Sequence, residues 1–172
     1  VDAVERDRIT YMFAIPTLYH AMTKAPNYRP DRMQSTELVL YGGAAIDPAL
    51  CAHIHSEWGG HIRHIYGTTE TMCSLYNPDP VDAPATLRPG LFSRIRVIRL
   101  GGGPDDRVAA GEEGEMIIDI NSGQHFSFYL NRPDATAEKT RDGWYWSGDI
   151  VLQEENGDVT LKGRVDDMIR TG

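Results

Sequence analysis

The stretch Ile65-Tyr66-Gly67-Thr68-Thr69-Glu70 sets a glycine, two hydroxyls and a carboxylate directly after a short apolar segment. Gly67 lets the backbone turn tightly or come close to a ligand. Mg²⁺ favours one or two carboxylates together with phosphate oxygens, so Thr68, Thr69 and Glu70 suit a phosphate and its metal ion. The same residues also suit a turn in which Thr68 or Thr69 caps a following helix. Further along, Ser147-Gly148 presents Asp149 on a tight backbone just after Trp144-Tyr145-Trp146. A carboxylate accepts hydrogen bonds from two neighbouring hydroxyls at once, the usual way a ribose is held. In Gly163-Arg164-Val165-Asp166-Asp167, Arg164 can make forked bonds to phosphate, and the aspartates also read as a solvated turn.

The elements that must position these residues fall into two patterns. Thr10–Ile15 is a continuous apolar run, as in a strand covered on both faces. A helix follows, capped at Thr17, with Leu18, Ala21, Met22 and Ala25 on one face and Pro26 at its end. Leu38–Tyr41 reads as a second strand, running into Gly42-Gly43-Ala44-Ala45. Asp47-Pro48 starts a second helix with Leu50, Ile54 and Trp58 as its buried stripe, and His61–Ile65 is a third strand. This β-α-β-α-β order predicts part of a doubly wound parallel sheet. The loops Gly42–Ala44 and Tyr66–Glu70 then lie side by side at strand C-termini, where α/β sheets bind ligands.

Composition shifts at Asn77-Pro78-Asp79-Pro80 and again at Ala83-Pro84, and beyond it the apolar period becomes two. Arg94–Leu100 and Met116–Ile120 read as strands, with a slip between Val97 and Ile98 that suggests a bulge. Asp134 caps a short helix over Ala135–Thr140, and Asp142-Gly143 is a tight turn. Ile150–Leu152 and Val159–Leu161 flank Asn156-Gly157, a strong hairpin signal. The expected architecture is α/β: a partial doubly wound parallel sheet over residues 1–80, then a small distorted antiparallel β-barrel over 81–172.

With 41% hydrophobic and 24% charged residues the chain is an ordinary globular composition. A net charge of −8 without a basic tract argues against nucleic acid as a partner. Apolar runs are far short of the roughly 20 residues of a membrane span. Cys51 and Cys73 do not make a disulfide framework, which makes a reducing, cytoplasmic setting the default. Cys51 and His55 stand at i, i+4, but no second Cys/His pair at ligand spacing accompanies them, and His53, His61 and His64 read as ordinary surface histidines. There is no Gly-x-Ser-x-Gly elbow, and Gly101-Gly102-Gly103 lacks the Lys-Ser/Thr of a phosphate-binding loop. The ends, Val1-Asp2-Ala3 and Met168-Ile169-Arg170-Thr171-Gly172, read as cut from something longer.

Taken in order, Tyr66–Glu70, Trp144 through Asp149, and Gly163–Asp167 resemble the motifs of the adenylate-forming superfamily: acyl- and aryl-CoA synthetases, luciferase and peptide-synthetase adenylation domains. Gly42-Gly43-Ala44 and Leu87-Arg88-Pro89-Gly90 fit as well. Tyr66–Tyr76, Thr86–Arg99 and Gly163–Ile169 are most similar to aryl-CoA ligases of the 4-chlorobenzoate–CoA ligase kind. The resemblance implies ATP (leaving as AMP), Mg²⁺ and coenzyme A as cofactors, and a small aryl or acyl carboxylic acid as substrate. It implies that Tyr66 stacks on adenine beside the Gly42, Gly43 and Ala44 backbone, with Gly67 in the same loop. Thr69 then bonds the α-phosphate, Glu70 holds Mg²⁺, Asp149 takes the ribose hydroxyls, and Arg164 reaches ribose and phosphate, making Thr69, Glu70 and Arg164 the catalytic set. Gly43, Ile65, Gly67, Met72 and Cys73 match the acid pocket, and Asp166 matches the hinge to a C-terminal lid.

Ser147 departs from the family's usual threonine. The family's Ser/Thr/Gly-rich pyrophosphate loop would precede residue 1, and the lid with its lysine would follow Gly172. The chain by itself is therefore expected to be inactive, and to self-associate through faces that other segments would cover. An amino-acid adenylation domain that loads a carrier protein usually places an aspartate in the pocket, and Thr71-Met72-Cys73-Ser74 offers none. A non-catalytic nucleotide-binding module of the same fold is the remaining alternative.

Overall fold

A computed structural model describes residues 1–167; Met168–Gly172, including the end of the Gly163–Ile169 stretch, lie outside the described residues. The chain divides into two compact units. The first is Val1–Tyr66 with Tyr76–Ala85, and the second is Gly67–Leu75 with the chain from Thr86 onward. The boundary expected near residue 80 thus lies at Ala85, and the Thr68–Glu70 loop belongs to the second unit.

The first unit runs α1 (Asp2–Asp7), β1 (Tyr11–Ala14), α2 (Pro16–Thr23), a 3-10 turn (Pro30–Met33), β2 (Leu38–Tyr41), α3 (Pro48–Glu57) and β3 (His61–Tyr66). The three strands are parallel and lie in sequence order. Register places Met12, Val39 and Ile62 in one row and Ala14, Tyr41 and His64 in the next. Both rows face a core shared with Val4, Tyr19, Met33, Leu50, Cys51, Ile54 and Trp58. All the helices therefore cover one face of this sheet, and one helical layer of the expected doubly wound arrangement is present. On the other face Tyr11 and Phe13 stay exposed, so β1 is not covered on both sides as its apolar run suggested.

α3 matches expectation, with the Asp47 carboxylate accepting from Leu50 N at 3.0 Å as N-cap. α2 differs. Its first turn holds Pro16, so the helix begins before Thr17, and Tyr19 rather than Leu18 is buried. Tyr19 wins that place because its ring meets Trp58 edge-on at 5.7 Å while its hydroxyl donates to Leu40 O at 2.7 Å. Leucine can supply only the first of these contacts.

The chain returns from the second unit to the first through β4 (Leu75–Asn77). The second unit then contains β5 (Thr86–Pro89), β6 (Ile95–Ile98), β7 (Glu113–Asp119), α4 (Pro133–Lys139), β8 (Thr140–Arg141), β9 (Trp144–Gln153) and β10 (Val159–Arg164). The strands are antiparallel in the order β5-β10-β9-β7-β6, and β8 pairs with β9. No pairing joins β5 to β6 among the described residues, so the unit is an open antiparallel sheet, the expected small distorted barrel left unclosed. α4 starts at Pro133 with Arg132 as its N-cap residue, and Asp134 sits in its first turn, paired with Arg132 at 2.9 Å.

β9 is a single ten-residue strand that reaches back to Trp144, well before the expected Ile150–Leu152. Asn156-Gly157 turns it into β10 as expected, and the forked Arg88–Asp158 pair, both bonds 3.1 Å, ties β5 to that turn. The expected slip in β6 does not occur. Val97 and Ile98 pair regularly with Met116 and Glu115, and the register shifts instead between β9 and β10 and between β7 and β9. There Ile117 pairs Trp146 and Glu115 pairs Ile150, so residues 147–149 of β9 stand against Met116 alone.

Candidate functional site

In the first unit the parallel pairing of Tyr41 with His64 puts the C-terminal ends of β2 and β3 beside each other. Gly42 is buried against the end of β3, and a Cβ there would lie 2.7 Å from Ile65 O. Gly43 and Ala44 are exposed, and Ile65 and Tyr66 are half-buried. Of the loops expected side by side, Gly42–Ala44 and Tyr66–Glu70, the first unit holds Gly42 against the end of β3 at Ile65.

The second unit begins at Gly67, where the chain passes so close to itself that a Cβ would fall 1.4 Å from Met72 O. Only glycine fits that approach. No helix follows; Thr71 N donates to Thr68 O at 3.2 Å, and Glu70 N bonds the Thr68 hydroxyl at 3.2 Å. The helix-cap reading of Thr68-Thr69 thus gives way to a compact turn. Thr69, Met72 and Cys73 are exposed on it, and Glu70 is half-buried.

Glu70 is held from several sides. The Tyr129 hydroxyl donates to Oε1 at 2.5 Å, and Phe126 N donates to Glu70 O at 2.7 Å. Burial would raise the Glu70 pKa, but hydrogen bonds from Tyr129, Thr68 and Tyr145 outweigh it and hold the carboxyl below its usual value. The counterpart appears at Tyr129, whose phenol is pushed up by burial and by the Glu70 carboxylate. Tyr145 is raised by burial first, and then feels both Glu70 and Asp149. Rings of His125, Phe126 and Tyr129 complete the surround: Phe126 meets Tyr129 at 4.6 Å, and His125 meets Tyr145 at 6.0 Å.

Asp149 sits on the irregular segment of β9. Gly148 has φ 73°, a conformation that L side chains rarely adopt, and the Ser147 hydroxyl donates to Met116 O at 2.6 Å while accepting from Asp149 N at 3.0 Å. Asp149 pairs across the ladder with Arg164, so their side chains share a face. The guanidinium Nη1 lies 3.0 Å from Asp149 Oδ1, and Nη2 lies 3.6 Å from Asp166 Oδ2. Val165 N bonds Gly148 O at 2.8 Å and closes the segment. Asp149 is buried, whereas Arg164 and Asp166 are exposed. Within this unit, then, Asp149 is paired with Arg164, and the Tyr145 phenol feels the charges of both Glu70 and Asp149.

The donor set can be compared with a magnesium ion. Among the described residues no three His, Cys, Asp or Glu side chains are placed to hold a metal. One ionised carboxylate in a half-open turn, with exposed Thr69 beside it, fits an ion that arrives with phosphate oxygens and keeps most of its ligands from them. Cys51 lies in the first unit's core, where burial pushes its thiol up to about 11, and His53 Nε2 is bonded to the Tyr28 hydroxyl at 2.8 Å.

The model of the family described as AMP-binding enzyme matches residues 1–130. The chain belongs to this family. As a member of the AMP-binding enzymes it is 40% identical over 169 residues to a 4-chlorobenzoate–CoA ligase of Arthrobacter sp., covering 98% of this chain and 32% of that protein. It is 33% identical over 174 residues to a feruloyl-CoA synthase of Amycolatopsis sp., covering 100% of this chain and 35% of the relative. Among solved structures, the amide bond synthetase McbA of Marinactinospora thermotolerans aligns over 98% of this chain and 35% of its own, with TM-score 0.82 and 27% identity. A benzoate CoA ligase of Burkholderia xenovorans LB400 shares the fold, with TM-score 0.83 at 24% identity over 99% of this chain and 34% of that one. The chain thus spans about a third of the length of the relatives it matches.

Tyr129, Tyr145, His125 and Phe126 were not singled out in the sequence. A signal for three of them was there: His125-Phe126-Ser127-Phe128-Tyr129 concentrates aromatics in a stretch with neither helical nor strand period. Trp144 and Trp146 have structural work instead, beneath Arg96 at 4.4 Å and Arg141 at 3.8 Å.

Proposed function

We propose that this chain is the central portion of an ATP-dependent aryl- or acyl-CoA ligase of the cytoplasm. Such a ligase joins a carboxylic acid to AMP and then passes the acyl group to the thiol of coenzyme A. The observation that carries the reading is the Glu70 turn: a carboxylate kept ionised by neutral hydroxyl donors, in a chain of the AMP-binding family. An aryl acid is favoured by the 40% identity to a 4-chlorobenzoate–CoA ligase.

Each residue has a task in that reading. Glu70 holds the magnesium ion, which when bound offsets the charge gathering on the phosphate oxygens. The exposed Thr69 hydroxyl donates to the α-phosphate. The acid's carboxylate oxygen attacks the α-phosphorus, the bond to the bridging oxygen breaks, and pyrophosphate leaves. Thiol attack on the acyl carbonyl then expels AMP. Asp149 accepts from the ribose hydroxyls, and Arg164, already aligned by Asp149, reaches the ribose and phosphate. Tyr66 stacks on adenine beside Gly42, Gly43, Ala44 and Gly67. Gly43, Ile65, Gly67, Met72 and Cys73 border the acid, and Asp166 is the hinge to the lid. No helix among the described residues is long and apolar enough to cross a membrane.

The test is pyrophosphate exchange by the complete protein with benzoate-type acids. Glu70→Gln and Asp149→Ala are each expected to lower the exchange rate at least about tenfold. Near-normal rates in both would overturn the assignments.

A further inference from the structure

We propose that Tyr129 is a positioning residue for the Glu70 carboxylate, holding one of its oxygens so that the other is presented in a fixed direction to the metal–nucleotide. The inference rests on the role given to Glu70 above and adds a residue that the motifs did not contain.

The geometry is specific about the direction of the bond. An ionised carboxylate only accepts, so the 2.5 Å contact has the Tyr129 phenol as donor and Oε1 as acceptor. Oε1 is thereby engaged from the protein side. A phenol does this without neutralising the carboxylate, whereas a lysine or arginine in its place would cancel the charge that attracts a divalent ion. The donor is itself anchored. Tyr129 N donates to the Thr136 hydroxyl at 3.0 Å, and that hydroxyl donates to Arg132 O at 2.9 Å, fixing the tyrosine against α4. The Phe126 ring meets the Tyr129 ring at 4.6 Å, while Phe126 N donates to Glu70 O at 2.7 Å. The 126–129 loop therefore grips Glu70 by its backbone and by its side chain. These contacts fix both ends of one side chain that would otherwise have three rotatable bonds. Partners of this kind orient metal ligands, and losing one lowers metal affinity by about 10- to 100-fold.

The experiment is a calorimetric titration of the complete protein with α,β-methylene-ATP, with and without Mn²⁺ and with no acid present. Tyr129→Phe, which keeps the ring against Phe126, should weaken the Mn²⁺-dependent binding about tenfold and leave metal-free binding within about twofold. Glu70→Gln should also weaken the Mn²⁺-dependent part, and adding Tyr129→Phe to Glu70→Gln should cost nothing more. Unchanged or tighter Mn²⁺-dependent binding in Tyr129→Phe overturns the proposal. So does a loss that recurs in full in the Glu70→Gln background, which is what a general folding defect would produce. If Glu70→Gln itself binds the metal–nucleotide normally, it is the metal assignment to Glu70 that fails.

Discussion

The two units carry their candidate chemistry by different means. In the first, small residues at the ends of two parallel strands lie over a core of ordinary α/β type, and the ligand would meet mostly backbone. In the second, charged and hydroxyl side chains are each tied to a neighbour: Glu70 to Tyr129, Asp149 to Arg164 and, through its amide, to Ser147. A site made of backbone is fixed by the fold itself. A site made of side chains is fixed only if other side chains hold it. Single-atom changes should therefore matter more in the second unit than in the first.

The largest expected effect tests this directly. Gly67→Ala places a methyl 1.4 Å from Met72 O, so the turn carrying Thr68–Cys73 must be rebuilt. Misplacing reacting groups by about 1 Å costs on the order of a hundredfold, and a loss of at least about that size is expected in pyrophosphate exchange by the complete protein. The matching change in the first unit, Ala44→Ser at an exposed position, should cost less than about threefold. Equal losses would erase the distinction.

A second prediction concerns the first unit's core. His64, a surface histidine by its sequence, is buried with its ring stacked on Tyr41 at 4.6 Å, its Nδ1 has no partner among the described residues, and burial lowers its pKa to about 4. The unfolded imidazole, with a pKa near 6.5, takes up a proton that the folded one refuses. The contribution is therefore whole above about pH 6.5 and is lost as pH falls toward 4, on the order of 2 kcal/mol. Urea unfolding of the chain at pH 7 and pH 4.5 measures it. His64→Phe, which keeps a ring against Tyr41, should remove most of this acid sensitivity; an unchanged difference between the two pH values would mean that His64 is not its source.

What could be read from the sequence divides along similar lines. β2, α3 with its Asp47 cap and the Asn156-Gly157 hairpin were legible because local chemistry fixes each one. The buried face of α2 was not, because Tyr19 is selected by Trp58 and by Leu40 O, both distant in sequence. Glu70, Asp149 and Arg164, whose roles belong to the proposal above, were named from type and spacing. Their keepers, Tyr129 and Tyr145, were not, since a phenol 59 positions from the carboxylate it holds leaves no local trace. The open edge of the second unit's sheet was likewise hidden, because closure depends on pairing between strands far apart in the chain.

The smallest expected effect is at Ser147, and it asks how far the holding principle reaches. Its hydroxyl donates to Met116 O and accepts from Asp149 N, so it ties β9 to β7 where the register slips and sets the start of the Asp149 turn. The resemblance puts threonine here, and threonine carries the same hydroxyl on the same carbon. Ser147→Thr should keep both bonds and shift stability by no more than about 0.5 kcal/mol, the added methyl being the only new demand in a buried site. Ser147→Ala removes both of these bonds from the sheet interior, a loss of about 1–2 kcal/mol in urea unfolding. AMP affinity of the complete protein should then drop by a few-fold in Ser147→Ala alone, because the bond from the Asp149 amide to the Ser147 hydroxyl is lost while the ion pair with Arg164 remains. If alanine binds AMP as well as serine does, the Arg164 pair is enough to place Asp149, and the side-chain support of this unit is shallower than that at Glu70.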